Sequence, residues 1–280
     1  MPNMIEPEHS RTNEYRITGS VEDSSPTTYG FVGTGEITAA LVEGLHAGEA
    51  EPPVVFLSPR GRDVGRALAQ RFEGVHVCGS NQEVLDNATT IVLGVRPPVA
   101  HGVVTQLRFR PHHVVLSAVA GVPLAQLYDW AAPVGRIVRA VPLPQSESGR
   151  GLTAMYPENA VARELFGRVG GLLVPEHEAA LEAISAATAT FAAHLDHLTT
   201  IAGWMAEHGV DHESATTYTR HVFGQLGRSL LRNTESLTEL ADRHTTPGGI
   251  NEQVMTELRN EGVPQAVRQA LDRVLTRLRE

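Results

Sequence analysis

Two glycines one residue apart lie in YGFVGTGEITAALVEGL, where an apolar strand pattern ends near Val32 and a helical pattern begins. A tight strand-to-helix turn calls for a glycine at Gly33, and a second at Gly35 lets a ligand approach the backbone closely. The helix behind them offers free N–H groups and the positive end of its dipole, a setting for a pyrophosphate. The third position of the pattern, usually glycine or alanine, is Thr38, still small enough for helix and strand to pack. With Thr34, Glu36 and Ile37, these residues read as a dinucleotide-binding turn, and the chemistry such a cofactor brings is hydride transfer. The competing reading is a glycine-rich turn without nucleotide. Placement at the first strand of an alternating region speaks for the cofactor.

The second strand, VVFL, ends in Ser58-Pro59-Arg60-Gly61-Arg62, and no acid follows until Asp63. An enzyme that uses NAD usually places an acid there against the ribose 2′-hydroxyl. A hydroxyl and two guanidinium groups suit a 2′-phosphate instead. The expected cofactor is NADP(H), with NAD(H) second; the competing reading is that Arg60 and Arg62 only solvate the next helix.

A third stretch, HTTPGGINEQ, interrupts a helical region at Pro247-Gly248-Gly249. Glycine N–H groups at a helix start bind an anion or a carbonyl oxygen, so the turn reads as a general polar cradle. Reduction of a C=N or C=O bond also needs a proton. HLDH places His194 and His197 three apart on one helical face beside Asp196, and histidine is the natural donor near neutral pH. His194 and Thr246, which leads into the glycine turn, are the catalytic candidates. The competing reading of HLDH is a solvated helix face. Its spacing is not a recurrent metal-ligand pattern, so no metal is expected. His112 and His113 read as a surface loop pair, and Cys78 as a small buried apolar residue.

These residues need a scaffold. Short apolar runs (YGFVG, PVVFL, VHVCG, TIVLGV, VVLSAV, RIVRAV and GLTAMYP) alternate with helical stretches from Tyr29 to about Pro157. Such alternation predicts a mostly parallel, Rossmann-type sheet covered on both faces by helices, spanning residues 29–157. After Pro157 the strand signals stop and apolar residues recur at helical spacing, with Asp211 and Thr234 as N-caps. Residues 158–280 thus read as an all-helical domain for dimerisation and substrate binding. Its long apolar faces predict a homodimer or a higher homo-oligomer. Residues 1–28 are polar and lack an apolar centre, so they read as a disordered tail rather than a targeting segment.

Bulk properties exclude several classes. The 280 residues carry a formal charge of −9 with no basic run, which argues against nucleic-acid or acidic-membrane partners. Apolar content of 41% suits a globular chain, and no run approaches the roughly 18 residues that span a bilayer. The lone cysteine allows no intramolecular disulfide. A cytoplasmic protein is the simplest expectation.

Several segments together resemble the pyrroline-5-carboxylate reductase family, which makes proline from a cyclic imine. GFVGTGEITAAL is similar to its opening motif, with Glu36-Ile37 for the usual Asn-Met. VLGVRPPVA is similar to its Val-Lys-Pro segment at Val95, Arg96 and Pro97. LSAVAGVPLAQL carries its Ser-x-x-Ala-Gly pattern at Ser117, Ala120, Gly121 and Val122. RAVPLP stands where the family has Arg-Val-Met-Pro-Asn-Thr-Pro, with Leu143 for asparagine, and TTPGGINEQ is similar to its Ser-Pro-Gly-Gly-Thr-Thr. The resemblance spans roughly residues 29 to 275. It implies that Val95, Arg96, Pro97, Ala120 and Gly121 contact the cofactor. It also implies that the substrate carboxylate is held where the Pro-Gly-Gly turn meets a long helix of the partner subunit. The family's Ser-Gly-Ser-Gly-Pro-Ala-Tyr run falls at Thr188 to His194, so Thr188 and Thr190 join Pro247, Gly248, Gly249 and Asn251 as substrate candidates.

Both glycines of the turn remain while its hydroxyls become Ile250 and Asn251. A site built to hydrogen-bond one substrate rejects another strongly. Three readings follow: an NADPH-dependent reductase of a cyclic imine acid, the same scaffold acting on a keto acid or another carbonyl or imine, and a nucleotide-binding paralogue without catalysis.

Overall fold

The computed structural model of this chain describes residues 28–47, 51–232 and 234–279. The expected amino-terminal tail lies outside the described residues, except Thr28, which opens the first strand.

The apolar runs rich in β-branched residues form one eight-stranded sheet. Its strands are β1 (Thr28–Val32), β2 (Val54–Leu57), β3 (Val75–Val77), β4 (Thr90–Leu93), β5 (Val114–Ser117), β6 (Arg136–Val141), β7 (Gly151–Tyr156) and β8 (Gly170–Leu173). They lie in the order β3-β2-β1-β4-β5-β6-β7-β8. All neighbouring pairs are parallel except β6 and β7, which run antiparallel with Arg139 opposite Tyr156. The order reverses between β1 and β4, so the crevice for a ligand lies outside the carboxyl ends of these strands.

Helices α1 (Glu36–His46), α2 (Arg62–Arg71), α3 (Asn81–Asn87), α4 (Pro97–Val104), α5 (Leu124–Trp130) and α6 (Ala160–Arg168) accompany the strands. Two apolar cores result. One gathers Phe31, Leu41, Leu57, Leu116 and Phe166; the other gathers Ile91, Leu93, Val115, Leu127 and Ile137. Neighbouring residues of β4 and β5 thus enter opposite cores, as period-two side chains in a sheet covered on both faces must.

The carboxy-terminal part contains α7 (Glu178–Thr188), α8 (Thr190–Glu207), α9 (His212–Arg232), α10 (Leu237–Arg243), α11 (Ile250–Asn260) and α12 (Val263–Arg279). Helix α8 packs along α9, while α12 packs on α7 and α11. As expected, Asp211 starts α9, its carboxylate accepting the Ser214 N–H at 3.0 Å.

Three sequence expectations need correction. Strand signals do not stop at Pro157: β8 pairs in parallel with β7. Its Gly-Gly start has poor strand propensity, and the exposed backbone edge of β7 supplies the pairing instead. Within the helical part, α7 and α8 part at Ala189. There the Thr188 and Thr190 hydroxyls donate back to the carbonyls of Ser185 and Ala187. The cap of α10 is Ser236 rather than Thr234, because Ser236 completes a capping box with Glu239. His113 is no surface residue: it is 0% exposed, and its Nδ1 accepts the Arg110 N–H at 3.1 Å.

Candidate active site

The glycine turn after β1 has the geometry that its sequence predicts. Gly33 has φ +102°, and a Cβ on it would stand 2.7 Å from the carbonyl carbon of Gly94, so only glycine fits. A Cβ on Gly35 would meet nothing within 4 Å, which leaves open space in front of the first turn of α1. A pyrophosphate fits such a concave face with its free helix-start amides. Thr38 donates to the Gly33 carbonyl at 2.6 Å, which explains its place in the third position of the motif. Glu36 is exposed on the first turn, and Ile37 turns toward the interior.

Ser58 differs from its expected role. The side chain is 2% exposed, and its hydroxyl accepts the Gly33 N–H at 2.9 Å. Thr34 donates to the Ser58 carbonyl at 2.9 Å, so the turns after β1 and β2 are laced together. Ser58 therefore shapes the turn from behind, while Arg60 and Arg62 are exposed at the edge where a 2′-phosphate would lie.

Farther along the carboxyl ends of the strands a cavity of about 140 Å³ opens. Ile37, Ala118 to Ala120, Val141 and Pro142 line one side of it, and Leu181, Ser185 and Thr188 of α7 the other. Ile37, Ala120 and Thr188, drawn from three separate motifs, thus meet in one place. Val95, Arg96 and Pro97 lie at the end of β4 and the start of α4, on the same side of the sheet. Gly121, with φ +73°, ends the turn beside Ala120.

The cavity also has Arg139 on its wall, a residue the motif reading left aside. Its sequence signal was available, since one arginine in the middle of RIVRAV is buried with the strand. Its Nη1 donates to Glu178 at 2.6 Å. Glu178 and Glu182 were missed as well, because acids one turn apart on a helix ordinarily face water.

The remaining candidates do not join this cavity within the chain. His194 is exposed on α8, edge-on to Phe223 with ring centroids 6.5 Å apart. Thr190 is half-buried beside the helix break. Thr246 to Asn251 form the entry to α11. There the Gly248 N–H, expected to face an anion, donates to the Glu252 carboxylate at 2.6 Å. Asn251 donates to the His244 carbonyl at 2.8 Å. The chain's own acid thus stands in for the anion of the cradle. Pro247 and Thr246 are exposed, and the Thr246 carbonyl accepts the Gly249 N–H at 2.8 Å.

Cys78 is buried as expected, and burial pushes its thiol up to about 11. Among the described residues, no three or more His, Cys, Asp or Glu side chains are grouped to hold a metal ion. No described helix is long and apolar enough to cross a membrane.

Two family models match the chain. Residues 28–121 fit "NADP oxidoreductase coenzyme F420-dependent", and residues 176–280 fit "Pyrroline-5-carboxylate reductase dimerisation". The chain belongs to the pyrroline-5-carboxylate reductase family. The pyrroline-5-carboxylate reductase of Pseudomonas aeruginosa is 27% identical over 254 residues, covering 86% of this chain and 92% of the relative. That of Methanosarcina acetivorans is 26% identical over 263 residues, covering 90% and 96%. Among solved structures, the Coxiella burnetii pyrroline-5-carboxylate reductase superposes with a TM-score of 0.76 at 23% identity, covering 90% of this chain and 97% of that one. The Plasmodium falciparum pyrroline carboxylate reductase, solved with NADP bound, gives a TM-score of 0.73 at 16% identity, covering 91% and 97%. Residues 122–175, which hold α5 to β8, lie between the two matched segments.

Proposed function

We propose that this protein is an NADPH-dependent reductase of a cyclic imine acid, pyrroline-5-carboxylate or a close relative. The cofactor would lie across the carboxyl ends of the strands, its pyrophosphate at Gly33 to Ile37 and its 2′-phosphate beside Arg60 and Arg62. It supplies the hydride. NAD(H) is the second choice, for want of an acid at the end of β2.

The observation that carries the reading is the chemistry of the cavity walls. Among the described residues that line it, the polar side chains are Arg139, Ser185 and Thr188, and Thr188 spends its hydroxyl on the Ser185 carbonyl. Among the described residues, no histidine, lysine, tyrosine or carboxylic acid lines the space. A protonated imine brings its own proton to the reaction, whereas a ketone needs a placed donor. Apolar walls also exclude water from the reacting carbon. This favours the imine over the keto-acid reading and leaves His194 and Thr246 without a direct part from within the same chain.

The same reading takes residues 29–157 together with the strand to Leu173 as the cofactor-binding part, and α7 onward as the helical part. The helical part would pair two copies into a homodimer or larger assembly and bring the Pro247-Gly248-Gly249 turn to the cavity of a partner. A small cytoplasmic enzyme fits these features.

The test is NADPH oxidation followed by absorbance with pyrroline-5-carboxylate, a six-membered cyclic imine acid and a set of 2-keto acids. Turnover of an imine acid is expected. Turnover of keto acids alone would support the carbonyl reading, and NADPH binding without turnover the non-catalytic one.

A further inference from the structure

A charge network centred on the buried Arg139 ties the helical part to both walls of the cavity. Arg139 is 4% exposed, in the buried middle of β6. Its Nη1 donates to Glu178 Oε1 at 2.6 Å and to Glu182 Oε1 at 3.4 Å. The same Glu178 oxygen accepts the N–H of Leu124 at 2.8 Å. Glu182 Oε2 in turn accepts from Arg279 Nε at 3.0 Å, near the end of α12. Two carboxylates against two guanidiniums leave the cluster neutral, as a buried Arg139 requires.

The placement of these bonds matters more than their number. Glu178 and Glu182 are one turn apart at the start of α7, and Leu181, Ser185 and Thr188 of the same helix line the cavity. Leu124 opens α5 just beyond the Ala118–Gly121 turn that forms the opposite wall. One carboxylate oxygen therefore joins the helix of one wall, the turn of the other and the strand between them. The end of α12 closes the same corner: a Cβ on Gly121 would stand 3.2 Å from the Leu278 carbonyl oxygen.

We propose that Glu178 is a positioning residue for hydride transfer. It sets the gap between α7 and the Ala118–Gly121 turn, and so the distance of the substrate carbon from the cofactor ring. This rests on the reading of the cavity as the place where the two meet. Glu178 itself touches neither, because it is not among the residues that line the cavity. The dinucleotide's phosphate and adenosine contacts, at Gly33, Gly35 and the end of β2, lie away from the network.

The experiment compares wild type, Glu178→Ala and Glu178→Gln with a stability control, Ser80→Ala, which removes the N-cap of α3 away from the cavity. NADPH affinity is measured by fluorescence titration, kcat and KM with pyrroline-5-carboxylate, and folding by thermal melting. Glu178→Ala is expected to lower kcat roughly ten- to hundred-fold, the scale of an ångström-sized misplacement, with NADPH affinity unchanged. Glu178→Gln keeps an acceptor for Leu124 and is expected to recover part of kcat. Ser80→Ala is expected to melt earlier with kcat intact. Wild-type kcat in Glu178→Ala, or an equal loss in Ser80→Ala, overturns the proposal. If Glu178→Ala does not fold, Glu178→Gln decides: lowered kcat at unchanged NADPH affinity supports the role, and wild-type kcat overturns it. Wild-type protein that binds NADPH but turns over no imine acid overturns the reading of the cavity itself, a result distinct from the others.

Discussion

The hydroxyl of Ser58 accepts the Gly33 N–H at 2.9 Å, so the end of β2 holds the glycine turn after β1 from behind. Ser58→Ala leaves that N–H without its acceptor and is expected to cost about 1–2 kcal/mol. NADPH and NADH binding should weaken by the same factor, since the loop supports the part that both share. Arg60→Ala with Arg62→Ala should instead weaken NADPH binding selectively. Titration of each variant with both cofactors checks this; a selective NADPH loss in Ser58→Ala would mean that the hydroxyl itself reaches the 2′-phosphate.

Gly61 presses the second turn onto the first. It has φ +89°, and a Cβ there would stand 2.1 Å from the Thr34 carbonyl oxygen. Gly61→Ala must both strain its backbone and push Thr34 away, at a cost of at least about 1–3 kcal/mol. The expected result is a lower melting temperature and weaker binding of both cofactors. Unchanged NADPH affinity at full stability would show that the two turns can separate without harm.

Much of this arrangement was legible in the residues. The alternation of β-branched runs with amphipathic stretches predicts the sheet because burial on both faces leaves few other sequences possible. Gly33, Gly35 and Thr38 reveal the turn because its backbone geometry admits few alternatives. Strand β8 was not legible, since Gly170-Gly171 carries no side-chain signal and its pairing depends on β7. The Arg139 cluster was half legible: an arginine inside RIVRAV must find partners, but nothing local says that they stand on α7. Glu252 could have been found, since an acid three residues after Gly249 is a capping pattern.

A pH dependence follows from His113 and His46. Burial pushes both imidazoles down, with His112 and Arg110 adding to the effect at His113 and Arg168 at His46. A histidine whose pKa is lower folded than unfolded binds fewer protons in the native state, so stability rises with pH through that interval. Stability is thus expected to be full above the ordinary histidine value of 6.5 and to fall as pH drops below it. His113→Asn keeps an acceptor for the Arg110 N–H and removes one titrating group. Melting temperatures from pH 7.5 down to about 5 should then fall less steeply than in wild type; an unchanged slope would exclude His113 as a source.

Glu252 occupies the amide that the glycine turn offers. Its carboxylate lies 2.6 Å from Gly248 N, where the proposed function brings a substrate carboxylate. Two anions cannot share that N–H without repulsion. Glu252→Gln is therefore expected to lower KM for an imine acid, with kcat and NADPH affinity little changed. A raised KM would mean that Glu252 shapes the cradle rather than competes for it.

The helical part leaves an apolar side open. Tyr218, Val222, Leu226 and Leu230 follow one another every four residues along α9 and are all exposed. Beside them an open cavity of about 700 Å³ is lined by Phe223, Leu237, Leu240, His244 and Asn251. Leu231 and Ile250 are 89% and 81% exposed. Apolar area gains about 25 cal/mol per Å² when it leaves water, so such a continuous face favours a second copy. Light scattering should give a dimer or larger particle. Val222→Asp with Leu226→Asp places two charges on the face and should yield monomers that melt earlier. Turnover should fall with dimer content, since the proposed site takes its glycine turn from the partner. Monomers with full activity would place the whole site within one chain.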